Sequence, residues 1–349
     1  MKNLNKLLTL TCIAAMAIAM PADGAPPASS LNGEWELSFW PQPEVAITDP
    51  SQAANAEAKK ISATVPGNVE IDLQKAGLVN DIMLGSNIYQ LRQYEGYQWH
   101  YSRTFESPRL ESGQKAELYF GGIDCLADIW VNGKHVGTAE NMFIEHRFDV
   151  TPYLSASGGN TLDIIIRSAV IEGMKYHMPT FTLNNFAAEE SIYVRKAPHM
   201  YGWDIMPRAV SAGLWRDVEL RVLDPIRFTD VHWYTTHADA ANRFAQVYVD
   251  FHLTTPLDKM DGLKTWITIS RNGKEVHKSY VPITSHAMRQ IIQLHDADLW
   301  WPKGYGEPAL YDTKVELKDP SGKVLSVDER RIGLRTVKLD FSDINTPEN

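Results

Sequence analysis

The segment "VYVDFHLTT" (247–255) shows the residue pattern that decides the fold of this chain. Apolar residues occupy every second position, and the residues between them are polar or amphipathic. A period of two places alternate side chains on opposite faces of a β-strand, so this strand has one buried face and one solvated face. The segments "DVELRVL" (217–223) and "TKVELKD" (313–319) repeat the alternation. The side chains predicted to face a core are Val247, Val249, Phe251, Leu253, Val218, Leu220, Val222, Val315 and Leu317.

Turn signals join these strands into hairpins. Asn132-Gly133 in "IWVNGKHV" and Asn272-Gly273 in "TISRNGKEV" favour two-residue turns, because Asn and Gly tolerate the positive φ that such turns require. "DPSGK" (319–323) predicts a third hairpin tip, and "VEIDLQKAG" (69–77) predicts a short helix. Many strands and few helices together predict an all-β fold made of sandwiches.

The length of 349 residues exceeds what one compact domain usually takes. In "LDPIRF" (223–228), Pro225 interrupts one strand pattern and a new one begins near Phe228. We therefore predict a large sandwich at 30–224 and a smaller one at 225–338.

The N-terminus resembles a secretory signal peptide. Two lysines precede a small and apolar run that is too short to span a bilayer with certainty, and Ala17 and Ala19 offer a cleavage site before Met20. We predict a signal peptide at 1–19, a linker at 20–29, and a protein exported to the periplasm or the exterior. After cleavage only Cys125 remains, so no intrachain disulfide is expected.

Composition argues against several function classes. The net charge of −9 and the lack of a long Lys/Arg run argue against nucleic acid as a partner. The eleven histidines show no zinc-ligand spacing, and no Gly-rich phosphate loop occurs, so neither a metal nor a cofactor is expected. Glu189-Glu190 is the most obvious acidic pair, but neighbours on an extended segment point apart, so we interpret it as part of a solvated loop.

Aromatic residues give the positive signal. In "MYGWD" (200–204), Trp203 lies next to Asp204. An indole can cover the apolar face of a sugar ring while a neighbouring carboxylate accepts hydrogen bonds from sugar hydroxyls. The alternative is that Trp203 fills a core and Asp204 caps a turn, and composition alone leaves both open.

Five motifs in order resemble glycoside hydrolase family 2, in its β-mannosidase-like branch. The resemblance implies a galactose-binding-like jelly roll followed by an immunoglobulin-like sandwich, in agreement with the strand pattern. The motifs are "ATVPGNVEIDLQKAGLVND" (63–81) with "YQWHYSRTF" (97–105), "LYFGGIDCLADIWVNGKHVGTAENMFIEHRFDVT" (118–151), "YGWDIMPRAVSAGLWRDVEL" (201–220), "LWWPKGYGEPALYDTKVEL" (299–317) and "RRIGLRTVKLD" (330–340).

In that family a (β/α)₈ barrel follows the second sandwich and carries two catalytic glutamates, one directly after an Asn. A barrel takes about 250 residues, whereas residues 339–349 would be only its start, and no Asn-Glu dipeptide occurs in the sequence. Retaining hydrolysis needs two carboxyl groups about 5 Å apart. We therefore expect the non-catalytic N-terminal portion of a secreted, exo-acting, retaining β-glycosidase, without turnover of its own. The alternatives are a stand-alone two-domain carbohydrate-binding protein and a structural adhesin.

The resemblance also implies a site. Trp203 would wall the pocket for a terminal β-linked sugar, Asp204 would accept its hydroxyls, and Arg208 would either line the pocket or buttress Asp204 or a neighbouring loop. The family pattern Gly-Trp-Asp-Trp-Gly-Pro reads Gly-Trp-Asp-Ile-Met-Pro at 202–207. Exo-β-glucosaminidase relatives carry Met at the position of Met206, so an exo-β-glucosaminidase-like or other family 2 specificity stays open beside the mannose-like sugar that the β-mannosidase resemblance implies. The surface that would face the barrel is also expected to promote self-association.

Overall fold

The computed structural model describes residues 28–53, 56–176 and 188–339. The predicted signal peptide (1–19), most of the predicted linker (20–29) and all but the first residue of the predicted barrel start (339–349) lie outside the described residues. Among the described residues no helix is long and apolar enough to cross a membrane. The described chain forms two compact units, 28–227 and 228–339, with residues 254–256 grouped with the first.

The first unit is a β-sandwich of a six-stranded and a four-stranded antiparallel sheet. Its strands are β1 (Ala28–Ser30), β2 (Gly33–Pro41), β3 (Lys59–Val65), β4 (Tyr97–Glu106), β5 (Lys115–Phe120), β6 (Leu126–Val131), β7 (Lys134–Ala139), β8 (His146–Asp149), β9 (Gly159–Arg167) and β10 (Val218–Leu223). The larger sheet has the order β3-β2-β4-β9-β6-β7 and the smaller has the order β1-β10-β5-β8. Strand β1 begins inside the predicted linker and pairs with β10.

Alternation builds the core of this first sandwich. Ala116, Leu118 and Phe120 of β5 are fully buried, and the residues between them are not. Leu37 and Tyr101 reach the same core from the larger sheet. The core is therefore filled by one face of each sheet, as expected for a sandwich.

Short helices and 3₁₀ turns occupy the connections of the first unit. The α-helices are α1 (Pro50–Ala53), α2 (Val69–Lys75) and α3 (Ala169–Met174), and the 3₁₀ helices are Asn87–Tyr94, Thr151–Tyr153, Glu189–Ser191 and Pro198–Tyr201. The predicted helix at 69–77 is confirmed as α2. Asn68 caps it by accepting a hydrogen bond from the Ile71 amide at 3.2 Å, and Gly77 follows it with φ +70°.

The second unit is a smaller β-sandwich. Its strands are β11 (Arg227–Asp239), β12 (Phe244–Thr254), β13 (Lys264–Arg271), β14 (Lys274–Pro282), β15 (Ala287–Leu294), β16 (Leu310–Lys318) and β17 (Val324–Gly333), with a 3₁₀ helix at Leu257–Lys259. The sheets have the orders β11-β12-β15 and β14-β13-β16-β17. The all-β prediction is confirmed, because both units are sandwiches.

The predicted hairpins of both units are confirmed, and so are the predicted strand faces except at Val222. Val222, next to the last residue of β10, is only half-buried, whereas Leu223 is buried. Val247, Val249 and Phe251 on β12, and Val315 and Leu317 on β16, are fully buried. The two Asn-Gly turns have positive φ at both residues, +52° and +69° in one and +50° and +76° in the other, and they join β6 to β7 and β13 to β14. The segment 319–323 closes the β16–β17 hairpin.

Candidate functional site

Residues 203–206 form a tight two-residue turn in the first unit. The Trp203 amide donates to the Met206 carbonyl at 3.0 Å, and the Met206 amide donates to the Trp203 carbonyl at 3.2 Å. Asp204 and Ile205 lie between them at the tip. We call residues 202–207 the tip hairpin.

A 3₁₀ helix and a glycine set the entry to the tip hairpin. The helix Pro198–Tyr201 ends at Gly202, whose φ of +100° is one that side-chain-bearing residues rarely adopt. A Cβ added at Gly202 would lie 3.3 Å from the Cβ of Arg208. The chain therefore turns sharply before Trp203 and passes close to Arg208 at the base.

The tip hairpin presents its side chains to solvent. Trp203 is 56% exposed, Ile205 is 85% exposed, and Asp204 is exposed. Trp203 therefore does not fill a core, which was the alternative that composition left open. Trp203 and Asp204 are consecutive in the chain and both are open to solvent.

Arg208 is engaged at the base of the tip hairpin. Its Nε donates to Glu95 Oε1 at 2.9 Å, its Nη2 donates to Glu95 Oε2 at 2.7 Å, and its Nη1 lies 2.8 Å from Glu190 Oε1. The hydrogen bonds to Glu95 are the main reason why the pKa of Arg208 lies above its usual value. These contacts match one of the roles predicted for Arg208, which is to support a neighbouring loop.

The interpretation of the Glu189-Glu190 pair as a solvated loop is wrong for Glu190. Glu189 is exposed, whereas Glu190 is only 6% exposed and is paired with Arg208. The two residues begin a 3₁₀ helix, in which neighbours also point in different directions, so one faces water and the other faces the guanidinium. The adjacency of Glu189 and Glu190 was visible in the sequence, but the distant partner of Glu190 was not.

A second buried charge cluster lies in the same unit and was missed from the sequence. The Lys196 Nζ donates to both carboxylate oxygens of Asp124 at 2.5 Å and to the Ser211 carbonyl at 2.7 Å. The Ser211 hydroxyl donates to Glu70 Oε2 at 2.9 Å. Burial raises the pKa of Glu70 to about 7 and also raises the pKa of Asp124, which Lys196 partly offsets.

The enclosed space beside this cluster is too small for a sugar. The cavity next to Asp124, Ser168 and Ser211 has a volume of about 10 Å³, roughly the space of one water molecule. Nor do the described residues hold a group of three or more His, Cys, Asp or Glu side chains arranged for a metal ion. The predicted site residues Trp203 and Asp204 do not line this cavity and lie on the exposed tip hairpin.

Comparison with known proteins identifies both domains. The family "Glycosyl hydrolase 2 galactose-binding domain-like" matches residues 50–216, and the family "Glycosyl hydrolases family 2" matches residues 226–335. The chain belongs to glycoside hydrolase family 2. The expected order of a galactose-binding-like domain followed by an immunoglobulin-like domain is confirmed.

The relatives of this family 2 chain include β-mannosidases. Beta-mannosidase B of Aspergillus flavus is 30% identical over 279 residues, which are 79% of this chain and 32% of that protein. The crystal structure of a beta-D-mannosidase from Dictyoglomus thermophilum is 28% identical with a TM-score of 0.74, and the match covers 90% of this chain and 37% of that one. The chain spans about a third of the length of the curated relatives it matches, and it corresponds to their N-terminal part.

More distant structures share the fold alone. A β-glucuronidase from Bifidobacterium dentium has a TM-score of 0.62 at 22% identity, over 91% of this chain. Since similar sandwiches occur in enzymes named for different sugars, the fold does not set the sugar.

Proposed function

We propose that this protein is the sugar-recognising N-terminal portion of an exported, exo-acting, retaining β-glycosidase similar to β-mannosidase. Its partner is a carbohydrate with a terminal β-linked sugar. The family match and the coverage of about a third of the β-mannosidases support this role. The signal-like N-terminus supports export to the periplasm or the exterior.

The observation that carries the proposal is an exposed tryptophan beside an exposed aspartate on the tip hairpin. Trp203 offers an indole for the apolar face of a sugar ring, and Asp204 offers a carboxylate to its hydroxyls. Once water is excluded by a bound sugar, a misplaced hydroxyl leaves the carboxylate unpaired, which disfavours the wrong sugar. Arg208 supports this hairpin from its base.

A mannose-like sugar is the first candidate, since the relatives include β-mannosidases. The tip hairpin differs from the β-mannosidase pattern at Ile205 and Met206, where Trp and Gly are replaced by aliphatic side chains. An exo-β-glucosaminidase-like or other family 2 specificity is the alternative. Comparing the affinities of the chain for several sugars distinguishes the two.

Calorimetric titration of the chain with manno-oligosaccharides tests the site. Covering about 50 Å² of indole at about 25 cal/mol per Å² stabilises a complex by about 1.3 kcal/mol, so Trp203→Ala should weaken binding roughly ninefold. Trp301→Ala is the matched control, because Trp301 is also a large exposed aromatic but lies in the second unit. Unchanged affinity in Trp203→Ala would remove the tip hairpin as the site.

We propose further that the 349 residues do not catalyse hydrolysis by themselves. The absence of an Asn-Glu dipeptide in the sequence supports this, because the acid/base glutamate of the family follows an Asn. Assays with aryl β-mannoside, β-glucosaminide, β-galactoside and β-glucuronide should give no turnover above background. Turnover of any of them contradicts the proposal, whereas tight glycan binding without turnover favours a stand-alone carbohydrate-binding protein.

We also propose weak self-association of the isolated chain. Trp203, Ile205 and Met206 all have exposed side chains within a few residues, and exposed apolar patches promote association. Size-exclusion chromatography over a concentration series should show an apparent mass that rises with concentration. A constant monomer mass at high concentration counts against it.

A further inference from the structure

Arg208 lies where three separate segments of the first unit meet. Glu95 directly follows the 3₁₀ helix Asn87–Tyr94, and Glu190 belongs to the 3₁₀ helix Glu189–Ser191. Arg208 itself directly follows the tip hairpin. The side chains of Arg208, Glu95 and Glu190 are 18%, 14% and 6% exposed, so the ion pairs are largely shielded from water.

The guanidinium uses its two sides for two different carboxylates. Nε and Nη2 form a parallel pair of hydrogen bonds with Glu95, and Nη1 lies 2.8 Å from Glu190. The planar guanidinium holds its N–H donors in a fixed geometry that matches both carboxylates. A lysine ammonium has no such planar arrangement of donors. The orientation of the Arg208 side chain is therefore fixed by partners far away in sequence.

The same residue is tied to both ends of the tip hairpin. Arg208 Nη1 donates to the Tyr201 carbonyl at 3.4 Å, and its guanidinium lies 5.6 Å from the centre of the Tyr201 ring. The next residue, Ala209, donates its amide to the Met200 carbonyl at 2.9 Å. These contacts close the loop on both sides of the exposed Trp203–Met206 turn.

Glu95, which binds the Arg208 guanidinium, is itself held by a further hydrogen bond. The Glu95 carbonyl accepts a hydrogen bond from the Ser168 hydroxyl at 2.5 Å, and Ser168 is the buried N-cap residue of α3. We call Arg208, Glu95 and Glu190 together the clamp. Through Ser168, the clamp connects the tip hairpin to the end of strand β9 and the start of α3.

We propose that Arg208 is a positioning residue, which Glu95 and Glu190 hold so that its guanidinium fixes the orientation of Trp203 and Asp204. This assignment rests on the proposed sugar-binding role of the tip hairpin. Arg208 then acts through Trp203 and Asp204 and does not itself bind sugar. Recognition benefits because a preordered turn loses less conformational entropy on binding.

Fluorine NMR of the full chain labelled with 5-fluorotryptophan tests the proposal. The chain has ten tryptophans, and Trp203→Phe identifies the Trp203 resonance. In Arg208→Lys we expect this resonance to shift or broaden while the other nine stay in place. The control is Arg221→Lys, since Arg221 is 19% exposed and its Nε lies 2.8 Å from Glu219 on the same strand, away from the tip hairpin.

The control variant should leave the Trp203 resonance unchanged. An unchanged Trp203 resonance in folded Arg208→Lys overturns the proposal. If Arg208→Lys loses all native resonances, Glu190→Gln decides, since it removes one charge and keeps the pair with Glu95. A change confined to Trp203 in that variant then supports the clamp, and no change overturns it.

The measurement needs no ligand, so it separates this proposal from the proposed function. A Trp203 resonance that responds to Arg208 in a chain that binds no glycan supports the positioning role and removes the sugar site. If the chain binds glycan, Arg208→Lys should lower the affinity relative to Arg221→Lys. Equal affinities in a folded variant with a displaced Trp203 resonance contradict the link between position and recognition.

Discussion

Replacing Lys196 with methionine should strongly destabilise the first unit. The Lys196 side chain is 0% exposed and that of Asp124 is 3% exposed, and the ammonium donates to both carboxylate oxygens. Methionine keeps much of the volume but leaves a buried carboxylate without its cation. Breaking a buried ion pair by removing one partner costs about 3–5 kcal/mol, a large part of the roughly 5–15 kcal/mol that holds a typical domain folded.

Scanning calorimetry and chemical denaturation measure this effect. Lys196 and Asp124 both lie in the first unit. The unfolding transition of the second unit therefore serves as an internal reference where the two transitions are separate. Lys60→Met is the matched control, because Lys60 lies 2.7 Å from Glu36 in a pair whose side chains are both exposed. An exposed pair is worth about 0–1 kcal/mol, so this control should barely change the free energy of unfolding.

A double variant sharpens the test. Lys196→Met with Asp124→Leu removes both charges, so it should be more stable than Lys196→Met alone. The deficit of Lys196→Met should also shrink at low pH, because the isolated Asp124 carboxyl can then be protonated. A cost in Lys196→Met no larger than in Lys60→Met, at neutral pH, would refute the reasoning.

Three further substitutions test packing, charge and exposure in the first unit. Burial raises the pKa of Glu70 from 4.5 to about 7, so wild-type stability should fall on the order of 3 kcal/mol as pH rises through that window. Glu70→Gln should flatten this profile in pH-dependent denaturation, and an unchanged profile contradicts it. Gly137→Ala places a Cβ 2.5 Å from the Phe148 ring and should lower the free energy of unfolding by about 1–3 kcal/mol. Gly159→Ala is its control, because a Cβ there meets nothing within 4 Å. Ile205→Asp, at the exposed tip, should change the free energy of unfolding by no more than about 0.5 kcal/mol.

The sequence predicted the sandwiches because their causes are local. Alternation decides which face of a strand is buried, and the strand "VYVDFHLTT" carries this information within nine residues. Asn132-Gly133 and Asn272-Gly273 likewise specify their turns through their own permitted φ values. The helix α2 carries its cap, Asn68, directly before its first turn.

The charge clusters escaped prediction because their causes are not local. Lys196 and Asp124 are 72 positions apart, and Arg208 and Glu95 are 113 positions apart. No spacing rule connects residues that a β-sandwich brings together from different loops. Arg208 was recognised as a candidate, but its contacts with Glu95 and Glu190 could not be predicted from the sequence.

The distribution of burial explains how the motif at 201–220 can keep its family resemblance while its tip differs. The clamp of Arg208, Glu95 and Glu190 is largely buried, and a change there costs ion pairs and hydrogen bonds. The tip residues Ile205 and Met206 are exposed, so replacing them changes what a ligand meets and leaves the frame unaltered. A frame that is held by buried charge can therefore carry different exposed side chains at its tip. Under the proposed sugar-binding role, specificity should vary at the tip before it varies at the base.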